Sequence, residues 1–130
     1  MNSSPKFIPT FDQRAFSKKY PKPHLQRDVI ELFGEELPPL IRDFRYSLEN
    51  KNQKVALIVS KLIEDIAGVF EARSLLEIAR QITIAIQESD FESAGAQFSP
   101  LVRAVVQLRG DLRRFVQQLP NPDMLFTEAA

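Results

Sequence analysis

The sequence predicts an all-α protein, and three observations carry that prediction. Apolar residues recur at steps of three and four, not two, along most of the 130 residues. No Asn-Gly or Asp-Gly pair joins two alternating runs. Prolines and polar turn residues divide the apolar pattern into segments of helical length. Four such segments joined by short loops predict an antiparallel up-and-down four-helix bundle preceded by an N-terminal arm. The expected division is residues 1–22 as a basic, proline-containing arm, 23–119 as the bundle and 120–130 as a C-terminal tail.

The arm holds Pro5, Pro9, Pro21 and Pro23, which leaves room for one short helix over "FDQRAFSKKY". From His24 onward, Leu25, Val29, Leu32, Phe33, Leu37, Leu40, Ile41, Phe44 and Leu48 form one amphipathic pattern toward Asn50. Pro38 and Pro39 interrupt it, so a kink or break is expected between Gly34 and Pro39. "ENKNQK" supplies a polar turn with Asn50 or Asn52 as a cap, and the next helix runs from about Gln53 to Phe70. It is expected to bury Val55, Ala56, Val59, Ile63, Ile66 and Phe70. "ARSLLEIARQITIAIQ" repeats the pattern with Leu75, Ile78, Ile82 and Ile86, and Ser89 or Asp90 is the expected N-cap of the last helix. That last segment, Phe91 to Leu119, should kink at Pro100. Beyond it, Met124, Leu125 and Phe126 offer apolar groups for docking on the bundle.

Composition limits the function classes. Without cysteine there is no disulfide framework, thiolate metal site or cysteine nucleophile. Lys+Arg and Asp+Glu balance at 17 each, which removes a general pull toward nucleic acid or anionic lipid. The local excess of Lys6, Arg14, Lys18, Lys19, Lys22 and Arg27 over Asp12 and Asp28 is expected to be a solvated face. No apolar run has the length of a signal peptide core or a membrane span, so a cytoplasmic protein without membrane or nucleic-acid partners is expected.

The reactive inventory is small. His24 is the single histidine, and it is expected near solvent at a helix start. One imidazole with scattered carboxylates does not make a metal site, and no serine is placed by the sequence beside that base. The four glycines are isolated, so there is no phosphate-cradling loop, and "RGD" at Arg109–Asp111 falls within a helical pattern. The expectation is a protein that is not an enzyme, with no cofactor, no metal and no catalytic residue.

The stretch "SKLIEDIAGVFEA", Ser60 to Ala72, followed by "RSLLEI", resembles the signature of the histidine-containing phosphotransfer (HPt) domain of bacterial phosphorelays. Ile63 takes the family's aliphatic position, Ala67 a small one, Phe70 the late apolar one, and Leu75 and Ile78 open the next helix. The likeness extends upstream through "RDVIELFGEELPPLIRDF" and downstream through "QESDFESAGAQFSPLVRAVV", about Phe11 to Leu119 in all. It implies an HPt-like bundle in the cytoplasm, with a response-regulator receiver domain or histidine kinase as protein partner. The departures fall on the functional positions. Lys61 stands where the phosphorylated His belongs, Glu64 replaces a supporting Lys, Asp65 replaces a Gly, and Glu71 replaces the second Gly. A protonated ammonium has no lone pair with which to attack an aspartyl phosphate, and neighbouring carboxylates repel the anionic transfer state. A one-residue shift would put Ser60 at the His position but needs an insertion before Ala72 and displaces Ile63 from the core column.

The resemblance therefore implies a pseudo-phosphotransfer module that docks its partner without passing phosphate. Helical spacing puts Leu57, Lys61, Glu64, Asp65 and Gly68 on one face. In the family this face, flanked by the kinked helix around Ile30, Phe33 and Leu37, is the docking surface. The alternative is a helical interaction or self-association protein on the same fold with no phosphorelay partner, as a monomer or weak homodimer.

Overall fold

A computed structural model describes residues 11–120. The arm prolines Pro5 and Pro9, Lys6, and the tail residues Met124, Leu125 and Phe126 lie outside them. The described residues form seven α-helices and no strand: α1 Gln13–Lys19, α2 Pro23–Gly34, α3 Leu37–Glu49, α4 Gln53–Val69, α5 Arg73–Gln87, α6 Phe91–Ala96 and α7 Phe98–Gln117.

The prolines start helices here and do not bend them. Pro23 is the first residue of α2, Pro38 the second of α3 and Pro100 the third of α7. The first-turn N–H groups have no intrahelical acceptor, so losing one there is nearly free. A proline ring does clash with the carbonyl four residues back. For Pro38 that is Gly34 and for Pro100 it is Ala96, the last residues of α2 and α6. The kink expected at Pro100 is therefore a break at Gln97, three residues upstream.

Three tight corners join α3 to α4, α4 to α5 and α5 to α6, and all three share one geometry. Lys51, Glu71 and Ser89 have φ of 54°, 52° and 59°, in the left-handed region. At each corner the left-handed residue and its successor donate to carbonyls of the helix just ended: Lys51 to Leu48 and Asn52 to Ser47, Glu71 to Gly68 and Ala72 to Ala67, Ser89 to Ile86 and Asp90 to Ala85. These paired bonds are the Schellman closure, which satisfies the last carbonyls and reverses the chain within three residues. The successor is then the N-cap of the next helix. Asn52 accepts from the Val55 N–H at 3.2 Å and Asp90 from the Ser93 N–H at 3.1 Å, whereas Ala72 has no side chain to offer.

Short corners force α3, α4 and α5 to run antiparallel, with α4 packed between α3 and α5. α5 also packs on α6 and α7, and α7 returns against α2 and α3. The core sits between them, with Phe44, Ile63, Phe70, Leu75, Ile82, Ile86, Leu101 and Leu108 fully buried.

The expected arm belongs partly to this core. Phe11 and Phe16 are buried, and their rings meet Phe70 and Phe115. Phe11 lies 5.5 Å from Phe115 at 88°, and Phe16 lies 5.9 Å from both Phe70 and Phe115. The two pairs with Phe115 are edge-to-face, at 88° and 84°, and such pairs are worth about 0.5–1.5 kcal/mol each beyond the area they bury. The Asp12 N–H donates to the Glu71 carbonyl at 3.1 Å, fastening the start of α1 to the α4–α5 corner.

The inward face of α2 also differs from the expected stripe. Gln26, Val29 and Ile30 are buried while Leu25 and Leu32 are exposed, a rotation of roughly one residue. Gln26 is admitted because its Nε2 donates to the Tyr20 carbonyl at 2.7 Å, which removes most of the cost of burying an amide. On α4, Val55 is exposed, because it lies about 80° around the helix from Ile63, outside the buried arc.

Candidate functional site

α4 begins at the Asn52 cap and ends at the Glu71 corner, and the five face positions run along it. Lys61 and Asp65 are exposed; Leu57, Glu64 and Gly68 are half-buried. A Cβ added at Gly68 would meet nothing within 4 Å, so the end of the face is open. Its carbonyl accepts from Lys19 Nζ at 3.1 Å, and the same ammonium lies 3.4 Å from Glu71 Oε1. α1 thus borders the face, a connection the sequence did not suggest.

The flanking residues do not join this surface. Leu37 is 0% exposed and Ile30 7% exposed, both within the main core, and Phe33 is half-buried against it. The expectation that Ile30 and Leu37 present themselves to a partner is corrected. The break after Gly34 lets α3 start with Leu37 turned inward, and the rotated face of α2 carries Ile30 toward α7.

Glu64 is turned to the neighbouring helix. Thr83 Oγ1 on α5 lies 2.6 Å from Glu64 Oε2, 2.9 Å from Ser60 Oγ and 2.9 Å from the Ala79 carbonyl. A hydroxyl has one proton, and the carboxylate is the strongest acceptor of the three. Thr83 therefore donates to Glu64, while Ser60 donates to the Leu57 carbonyl at 3.1 Å. Ser60 is buried in this network and is not presented to a phosphoryl donor in solution. Thr83 was legible only as a polar residue between Ile82 and Ile84; periodicity gives its column, not its partner.

Among the described residues no ion pair links Lys61 to Glu64 or Asp65. The face can therefore present a cation at Lys61 and an anion at Asp65, four residues apart on one side of the helix. His24, the second residue of α2, is exposed and remote from this face in sequence and on a different helix.

A second concavity, about 360 Å³, lies between α2 and α7. Glu31 and Glu35 line one side, Arg109 and Arg113 the other, over Ile30 and Leu112. Sequence inspection missed it because the two pairs come from opposite ends of the chain. Among the described residues no cluster of His, Asp and Glu could hold a metal ion, and no helix is long and apolar enough to cross a membrane. Comparison of the chain with protein-family models, characterised proteins and solved structures gives no match.

Proposed function

We propose that the chain is a pseudo-phosphotransfer binding module, an HPt-like four-helix bundle that docks a receiver domain or histidine kinase of a bacterial two-component system without transferring phosphate. In this reading α2 with α3, α4, α5, and α6 with α7 are its four helices, and α1 is the appendage. The observation that carries the reading is the face of α4, where Lys61 is exposed and free of ion pairing to its neighbours, beside exposed Asp65 and open Gly68. A receiver's acidic pocket would take Lys61 as a fixed cation, and Asp65 would meet basic groups at its rim. The left-handed backbone at Glu71 adds support, because the HPt signature has its second Gly there and left-handed φ is the conformation that favours glycine.

The test is binding of the full chain to receiver domains and kinases from the same genome, measured by calorimetry. A micromolar complex is expected, weakened about tenfold or more by Lys61→Glu, with the helical circular dichroism of the variant unchanged. A receiver charged with labelled phosphate should leave the protein unlabelled. Absence of any complex at high micromolar concentration, or transfer of label to the chain, sinks the proposal.

A further inference from the structure

Glu64 and Thr83 meet at the boundary of α4 and α5 from matching positions on their helices. Glu64 stands about 100° around α4 from the core residue Ile63, and Thr83 about 100° around α5 from the core residue Ile82. Each has a cation three residues before it, about 160° from the same core residue and so farther toward solvent: Lys61 on α4 and Arg80 on α5. Both cations are exposed. Because the two helices run antiparallel, Lys61 and Arg80 flank the contact from opposite ends, each about 4.5 Å along its helix from it. Among the described residues neither forms an ion pair with Glu64 or Asp65.

Thr83 holds the carboxylate instead. Its hydroxyl lies 2.6 Å from Glu64 Oε2, and the Thr83 side chain is buried, steadied by Ser60 Oγ and the Ala79 carbonyl at 2.9 Å each. A hydroxyl bonded to a half-buried carboxylate is a charge-assisted contact, whereas an exposed ion pair competes with water and costs the entropy of a long side chain. We propose that Thr83 is the positioning residue of the docking face: it keeps Glu64 in the α4–α5 boundary and so leaves Lys61 and Arg80 as two unpaired cations for the partner's acidic pocket.

This rests on the docking role proposed above and adds Arg80, from a second helix, to the surface involved. Without the hydroxyl, a carboxylate one turn from Lys61 and beside Arg80 pairs with one of them and sets a negative charge before an acidic partner. Asp65 lies about 40° beyond Lys61 on the side away from α5, so it is out of reach of Thr83 and stays on the face in either case.

Calorimetric binding of a receiver domain to variants of the full chain tests it. Thr83→Val keeps the branched shape without the hydroxyl and should weaken binding about threefold, and Arg80→Ala should do so by a similar factor. Thr83→Ser, which keeps the hydroxyl, should rescue binding. In a Glu64→Gln background Thr83→Val should have no further effect, since no carboxylate is left to release. Circular dichroism melts of each variant separate lost contact from lost folding. A Thr83→Val effect that persists in the Glu64→Gln background, failure of Thr83→Ser to rescue, or an Arg80→Ala variant that binds like the native chain overturns the proposal. Carboxyl-carbon NMR of Glu64 needs no receiver. Lys61→Met combined with Arg80→Met should leave that signal nearly in place when Thr83 is present and displace it in the Thr83→Val variant. If no receiver binds, the docking role fails while this signal still decides what holds Glu64; an equal response with and without the hydroxyl overturns the positioning role.

Discussion

The α3–α4 and α4–α5 corners have the same backbone and opposite chemistry. Both turn through one left-handed residue, with the same pair of closing hydrogen bonds. At Asn50–Asn52 the corner is exposed and supports itself: Asn52 caps α4, and the Asn50 amide donates to the Tyr46 carbonyl at 2.8 Å. At Phe70–Ala72 two of three residues are fully buried, no side chain caps α5, and support comes from α1 through Phe16, Lys19 and the Asp12 N–H. A corner can thus be specified locally by turn residues or globally by the residues packed over it. The proposed docking face ends at the second kind, so its geometry depends on a segment some fifty residues earlier in the chain.

The sharpest way to break this comparison is Phe16→Ala, which removes a fully buried ring and its contacts to Phe70 and Phe115. A loss of about 3–5 kcal/mol is expected in urea unfolding, concentrated at the α4–α5 corner in hydrogen exchange and absent from the α3–α4 corner. Asn52→Ala attacks the other corner and should cost about 1 kcal/mol through the lost cap, with little effect on exchange around Glu71. Glu71→Gly should act in the opposite direction. It relieves a left-handed side chain and gives up only an exposed ion pair, for a gain of about 0.5–1 kcal/mol in thermal or urea melts. If Glu71→Gly destabilises, the link from α1 through Lys19 matters more to that corner than its backbone strain.

The smallest effect concerns the third corner. Asp90 is held below the usual carboxylate range by the side-chain hydrogen bond from Ser93 and then by the Ser93 N–H. A lowered folded value means that the cap's contribution is present above the unfolded value and is lost as the pH falls through the folded one. Asp90→Asn keeps an acceptor but not the titration. Its stability relative to wild type should therefore improve as the pH falls from the ordinary carboxylate value of about 4 through the lowered folded value, the window in which the aspartate cap is lost.

Helices were legible in the sequence because period and punctuation are local properties. Asn52 and Asp90 could be named as caps because an N-cap is read within four residues of chain. The break at Gln97 was misplaced because a proline's steric effect falls on the carbonyl four residues back. Burial was harder, since it depends on neighbours from elsewhere in the chain. Gln26 is inside because Tyr20 accepts its amide, and Val55 is outside because α3 and α5 cover a different arc of α4. The candidate face was legible as spacing, through Leu57, Lys61, Glu64, Asp65 and Gly68. Its flank was not, because whether Ile30 and Leu37 face a partner or the core is decided by the break at Gly34, which fixes how α2 and α3 are rotated.

The backbone hydrogen bond from Asp12 to Glu71, with the Lys19 contacts to Gly68 and Glu71, gives α1 a distinct place in the dynamics of the molecule. With seven residues α1 is shorter than the roughly 12–15 at which isolated helices become even marginal in water. It has no helical existence apart from its seat, so undocking and unwinding are one event, with Pro21 and Pro23 bounding the segment that moves. The amides of Phe16 and Tyr20, both bonded to carbonyls at or within this helix, should exchange together, through an opening that costs less than global unfolding and wets the rings of Phe70 and Phe115.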